Sequence, residues 1–163
     1  MRRAIWFPEN EPDVKFIWVP VTRISEEGED YDRVDLKTYF ADTAELKPEF
    51  RGYQGNGRPL TVNVNALRGN RRLGSAIDIR HRETFSIDGS KRNQAVFSAT
   101  KGRSCHEWRG PMVALKEKKN RVAYDTCSFC DDMDVAGLRD VVDYLTGYGA
   151  PGLGWWVGSK DPE

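Results

Sequence analysis

Residues 75–87 read SAIDIRHRETFSI, the longest run in the chain in which apolar and polar residues alternate. Successive side chains of a strand point to opposite faces. The run therefore puts Ile77, Ile79, Phe85 and Ile87 on one face, and the same register carries His81 and Glu83 onto it. Upstream, residues 59–67, PLTVNVNAL, repeat the pattern, with Leu60, Val62 and Val64 inward and Thr61, Asn63 and Asn65 outward. RGNRRLG between the two reads as a turn. Downstream, DGSKRN is a turn built on the favoured pair Asp88 and Gly89, after which QAVFSAT is expected to resume as a strand.

Farther out, GPMVALKEK and RVAYDTC flank a short polar connection and predict a hairpin. A helix is predicted over 133–148. Val135, Leu138, Val141, Val142 and Leu145 recur at helical spacing, Asp131, Asp132 or Asp134 can cap it, and Gly147 or Gly149 can end it. In the tail, Leu153 to Val157 suits a last short strand before frayed residues 159–163, and Trp155 and Trp156 suggest docking on the core or a homodimer surface.

Toward the N-terminus, KFIWVPVTRI (15–24) is apolar on both faces and predicts a strand covered on both sides, bulged or at an edge because Pro20 cannot donate to a ladder. VDLKTYF from Val34 alternates as a half-buried strand. Asp42, Glu45 and Pro48 mark the cap and stop of one or two helical turns, and RGYQGNGRP is a loop. Residues 1–14, with Pro8 and Pro12 among acids, are expected to form an extended arm pinned by Ile5, Trp6 and Phe7.

These elements predict a mainly β, α+β fold: a single domain over 15–158, an antiparallel β-barrel or strongly curved sheet of about seven to eight strands with one C-terminal amphipathic helix packed on it. In element order this is similar to the calycin arrangement of lipocalin-type ligand binders. Their glycine-x-tryptophan signature is missing, since Trp6 and Trp18 occur without it, so the likeness is one of architecture.

With 163 residues, 39% of them apolar and 31% charged, the chain is long enough for one core and too rich in aromatic and β-branched residues to be disordered. No apolar run reaches the roughly 18 residues that cross a bilayer. The first residues do not form a signal-peptide core, and three cysteines without one favour reduced thiols and a cytoplasmic or nuclear location. The net charge of zero hides an asymmetry: −5 over residues 1–50, +11 over 51–121 and −6 over 122–163. The basic middle either binds a polyanion or is neutralised by the acidic ends.

Several constellations could carry chemistry. His81 and Glu83 on one inward face suit a general base and its acid or orienting partner, with Tyr39, Arg80, Arg82 and Tyr124 as candidate ligand-binding neighbours. The bland reading is a structural pair satisfied by such neighbours. Cys127 and Cys130 form a C-x-x-C pair that Cys105 and His106 could complete into a zinc site; buried inert thiols are the simpler reading, and no cofactor is otherwise expected. A redox role is opposed by the neighbouring Asp131, Asp132 and Asp134, whose charge disfavours a thiolate. Arg68, Arg71, Arg72, Lys116, Lys118, Lys119 and Arg121 could meet phosphates at one end of a sheet. Gly147, Gly149 and Gly152 match a phosphate-loop spacing but follow a helix instead of opening one, which excludes that reading. The leading expectation is a non-enzymatic binding or interaction module, with a small ligand in a β-lined cavity or a protein partner at an exposed face. The alternatives are a lyase or isomerase using His81 and Glu83, and nucleic-acid binding through residues 51–121.

Overall fold

The computed structural model describes residues 1–43, 45–51, 60–67, 71–118 and 130–147. Among them are strands β1 (Arg2–Phe7), β2 (Lys15–Val19), β3 (Val21–Glu26), β4 (Glu29–Val34), β5 (Leu60–Leu67), β6 (Arg71–His81), β7 (Met112–Glu117) and β8 (Cys130–Asp131), with helices α1 (Gln94–Ala99) and α2 (Val135–Gly147). Six strands form one antiparallel sheet in the order β2-β1-β7-β6-β5, with β8 on β7, while β3 and β4 form a separate two-stranded hairpin. The fold is mostly β, as expected, but no barrel closes among the described residues. There β2 pairs only with β1 and β5 only with β6, so the described strands form an open sheet and the calycin likeness goes no further.

Both faces of the sheet are covered, which explains its least alternating strands. In β1, Ile5 and Phe7 join the core beneath the helices, whereas Ala4 and Trp6 join the core beneath the hairpin. In β7, Met112 and Ala114 take the first side, Val113 and Leu115 the second. Strands buried on both faces read as continuous apolar runs. On the helix side α1 contributes Ala95 and Val96 and α2 contributes Val141, Tyr144 and Leu145; on the other side lie Val21 and Val34 of the hairpin and Leu36 and Phe40 after it. A fully buried side chain such as Ile5 or Phe7 stabilises by about 1.5–3 kcal/mol.

That term corrects the expected N-terminal arm. Residues 2–7 are a central strand, with Ile5 opposite Phe16 on β2 and Ala114 on β7. Pro20 ends β2 outright instead of bulging a single strand: the chain leaves the sheet, β3 begins the hairpin, and the Asp35 N–H returns to the Pro20 carbonyl at 3.0 Å. The strand expected from Val34 also stops there. Asp35 accepts from the Lys37 N–H at 3.1 Å, an Asx turn that starts a helical turn closed by Tyr39 N–H to Leu36 O at 2.9 Å. Pro48 opens a 3-10 turn (Pro48–Phe50) where it was expected to stop a helix, since the missing N–H is harmless at a first helical position. Strand β6 starts earlier than expected, at Arg71, and ends at His81; residues beyond it turn, with Ile87 N–H on Thr84 O at 2.9 Å.

QAVFSAT is a helix, not a strand. Asn93 caps it through a 2.8 Å bond from the Val96 N–H, and buried Ala95 and Val96 face the core. Helix α2 lies where predicted, and of the three candidate caps Asp134 serves, accepting from the Gly137 N–H at 2.7 Å. The expected strands at RVAYDTC and Leu153 to Val157, and the tryptophan pair, lie outside the described residues. No helix among the described residues is long and apolar enough to cross a membrane.

Part of the basic middle segment is neutralised by the acidic one that follows. Arg71 lies 3.4 Å from Asp140 and 3.6 Å from Asp143 on α2, and Lys116 lies 2.9 Å from Asp134.

Candidate functional site

The local circuit from Arg92 to Arg109 builds the site. Asn93, 1% exposed, donates its side-chain amide to Phe7 O at 2.8 Å and Gly110 O at 2.7 Å while its oxygen caps α1. Both amide hydrogens and the oxygen are used, so α1 is tied to β1 and to the start of β7. Beyond the Thr100 cap the helix is closed by Lys101, whose positive φ lets the next N–H, that of Gly102, reach Phe97 O at 2.8 Å. A side chain at Gly102 would meet the Phe97 ring at 3.2 Å. The chain then returns: Cys105 N–H bonds Leu145 O on α2 at 3.0 Å, Ser104 Oγ donates to His106 O at 2.8 Å, and Asn93 N–H closes the circuit on Trp108 O at 2.8 Å.

Between α1 and this returning segment lies a cavity of about 290 Å³. Its apolar walls come from Val96, Phe97 and Trp108, and its polar groups include Arg92, Ser104 and Glu107. Phe97 is 49% exposed, and the Arg92 guanidinium sits 5.0 Å from its ring centroid, a cation-π distance. Trp108 is 4% exposed and is the hub of an aromatic cluster: Phe85 stacks on it at 5.1 Å, and His81 and His106 meet it edge-on at 5.3 and 5.9 Å. Its indole N–H is buried without a hydrogen-bond partner among the described residues. Such groups are uncommon in folded proteins, because an unpaired buried donor costs about 1–3 kcal/mol.

Electrostatically the mouth is unbalanced. The Glu107 carboxylate is shared by two guanidiniums, Arg92 at 3.5 Å and Arg109 at 3.1 Å, and Arg109 also donates to Ser90 O at 3.0 Å. Lys101 and Arg103 add positive charge on the same segment, both exposed and without an ion-pair partner among the described residues.

The residues singled out from sequence are distributed otherwise. His81 does face inward with Ile77 and Ile79, packed on Phe85 and Trp108. Its Nδ1 is 3.0 Å from Arg82 O, so Nδ1 carries the proton, and burial holds its pKa below the ordinary histidine value. Glu83 is exposed in the turn beyond the strand, so the two are not brought to one inward face. Tyr39 lies on the opposite side of the sheet, its ring 4.8 Å from Trp6. Arg80 alternates to that opposite side too, and its Nε is buried without a partner among the described residues. Arg82 is buried, donating to Ala41 O at 2.6 Å and Ser90 Oγ at 3.4 Å. Tyr124 and Cys127 lie outside the described residues.

The expected zinc ligands are likewise separated. Exposed Cys105 bonds Thr146 O at 3.3 Å, at the C-terminal end of α2, whereas buried Cys130 precedes the N-terminal end of that helix, which is about 20 Å long. No group of three or more histidine, cysteine or acidic side chains suited to a metal occurs among the described residues. Burial, and then the nearby Asp32 carboxylate, push the Cys130 thiol up to about 11, away from thiolate chemistry.

Sequence reasoning missed Arg92, Asn93, Phe97 and Trp108. The available signal was Asn93 before Ala95, Val96 and Ala99, an N-cap followed by helical spacing, with Gly102 as the stop. No family model, curated protein or solved structure compared with the chain matches it.

Proposed function

We propose that this protein is a non-enzymatic binding module that takes a small ligand in the cavity between α1 and the segment Gly102 to Trp108. The observation that carries the reading is a concave space of about 290 Å³ in which the Phe97 and Trp108 rings and Val96 meet an equal share of polar surface, Arg92, Ser104, His106 and Glu107 among it. Small-molecule sites are concave and combine aromatic surface with placed polar groups that fix the ligand's orientation. The helix and loop form this pocket, in place of the β-lined one expected, because the faces of the sheet are filled by the two cores. The lyase or isomerase reading has less support, since His81 is buried while Glu83 is exposed. Nucleic-acid binding also has less, since Arg71 and Lys116 are engaged by carboxylates of α2 and its cap. For a protein partner, the exposed Trp18, Leu60 and Val135 lie on three different elements and Ile87 in the turn after β6, so the exposed apolar side chains are spread along the described chain.

The test is a fragment titration followed by ¹H–¹⁵N correlation spectra of the full chain, with the Trp108 indole resonance assigned through Trp108→Phe. Binding fragments should move the Trp108 indole and the amides of Phe97 and Gly102. Shifts confined to other parts of the protein, or none at millimolar fragment, would reject the reading.

A further inference from the structure

We infer that the ligand of this cavity is a small planar anion, an aromatic ring carrying a carboxylate or phosphate, with the ring against Phe97 and the anionic group on Arg92. The inference rests on the ligand-binding reading above and adds the ligand's charge and shape.

Three observations lead to it. The first is the position of Arg92, whose guanidinium lies over the Phe97 ring while its Nε reaches Glu107 only at 3.5 Å. Guanidinium held by stacking keeps its remaining N–H groups free for the fork-like recognition of a carboxylate or phosphate. The second is the division of one carboxylate between two guanidiniums. Glu107 makes its shorter contact with Arg109, at 3.1 Å, and so leaves Arg92 incompletely neutralised. Lys101 and Arg103 on the same segment have no ion-pair partner among the described residues, so the positive charge there is not cancelled locally. A concave site beside such charge concentrates anions.

The third is the flat apolar wall. Phe97 keeps half its surface open in a region where Gly102 clears space for its ring, and Trp108 lines the same cavity. A planar ring gains stacking on such faces that an aliphatic group of the same size does not. At about 290 Å³ the cavity has room for one or two fused rings.

The experiment compares three probes on the full-length protein by calorimetry: 2-naphthoate, its neutral isostere 2-naphthamide, and cyclohexanecarboxylate. Naphthoate should bind about tenfold more tightly than naphthamide, the discrimination expected of one charge-assisted contact, and cyclohexanecarboxylate should be weaker than naphthoate by a similar factor. Arg92→Gln should erase the preference for naphthoate over naphthamide; Phe97→Ala should weaken both naphthyl probes. Arg92 is exposed, and Arg92→Lys, which keeps the charge but not the fork, should retain part of the preference in a protein whose circular dichroism is unaltered. Equal affinity for naphthoate and naphthamide overturns this inference while leaving a ligand site in place. Tighter binding of cyclohexanecarboxylate than of naphthoate overturns the planar requirement, and failure of all three probes removes the ligand-binding reading with it.

Discussion

Asn63 on β5 donates its side-chain amide to the carboxylate of Asp78, directly opposite on β6, at 2.8 Å. The same amide nitrogen lies 3.1 Å from the Glu117 carboxylate on β7. One neutral donor thus bridges two acids on the face of the sheet away from the helices. Burial, reinforced by the Glu117 charge, outweighs that hydrogen bond and the nearby Arg80 and raises Asp78 to about 6. Between its unfolded value of about 4 and 6, the folded protein binds more protons than the unfolded chain. Stability from this group is therefore complete below about pH 4 and lost as pH rises through about 6, a change on the order of 2–3 kcal/mol. Asp78→Asn, which still accepts from Asn63, should be more stable than the parent at pH 8 and no different at pH 4 in urea denaturation. An unchanged pH profile would mean that Asp78 is ionised at no cost.

His81 has the opposite sign. Its folded pKa lies below the ordinary value, so its contribution is complete above about pH 6.5 and is lost as pH falls toward the folded value. Long-range ¹H–¹⁵N spectra should show the ring titrating below the ordinary histidine value, with the neutral ring carrying its proton on Nδ1, as the bond to Arg82 O requires. Titration above the ordinary value, or a neutral ring protonated on Nε2, would contradict the buried geometry.

Asn93→Ala removes three hydrogen bonds at once and leaves two buried carbonyls and the first free N–H of α1 unpaired. At about 1–3 kcal/mol for each buried group left unsatisfied, a loss of about 3–5 kcal/mol is expected in chemical denaturation. Asn93→Asp should be comparably harmful although it keeps the cap, because its oxygens would face the carbonyls of Phe7 and Gly110. A loss no larger than an ordinary cap's, about 1 kcal/mol, would mean that those two bonds contribute nothing.

Gly89 adopts φ +90, and a Cβ there would sit 2.6 Å from the Glu45 carbonyl oxygen, a backbone atom that cannot step aside. Gly89→Ala should destabilise by about 1–3 kcal/mol. The measurable counterpart is a lowered melting temperature, and an unshifted one would show that the Glu45 segment moves freely.

The two described thiols should differ sharply toward iodoacetamide. Cys130 is buried and raised to about 11, which cuts its thiolate fraction about 100-fold relative to an ordinary cysteine, whereas Cys105 is exposed. Alkylation followed peptide by peptide should label Cys105 first, and equal rates would argue that β8 opens readily.

How far the sequence could be read depended on whether a segment is decided by its own pattern or by what covers it. Helix α2 was legible because its apolar stripe, Asp134 and Gly147 all agree. Strands β5 and β6 were legible in their alternation, and the inward placement of His81 followed from it. The alternating period failed beyond His81, where Phe85 still packs on the core but from a turn. Strand β1 was misread because Pro8 and Pro12 drew attention to the segment's end, while Ile5, Trp6 and Phe7 already carried the two-faced apolar run of an interior strand. Helix α1 was misread because Val96 and Phe97 favour strands locally, and only the Asn93 cap and the cover of the core decide against that. The candidate cavity depends on that helix, so it was hidden for the same reason.

The central place of β1 has a consequence for how the chain assembles. Its first neighbour, β2, is close in sequence, but its second, β7, arrives more than a hundred residues later, when Ile5 meets Ala114. During synthesis β1 must wait, half paired, until Met112 to Ala114 have emerged, and contacts of such long range are the slow ones in folding. Any fragment that ends before Met112 keeps an apolar strand with a bare edge, a template for aggregation that pairing with β7 conceals in the interior of the sheet.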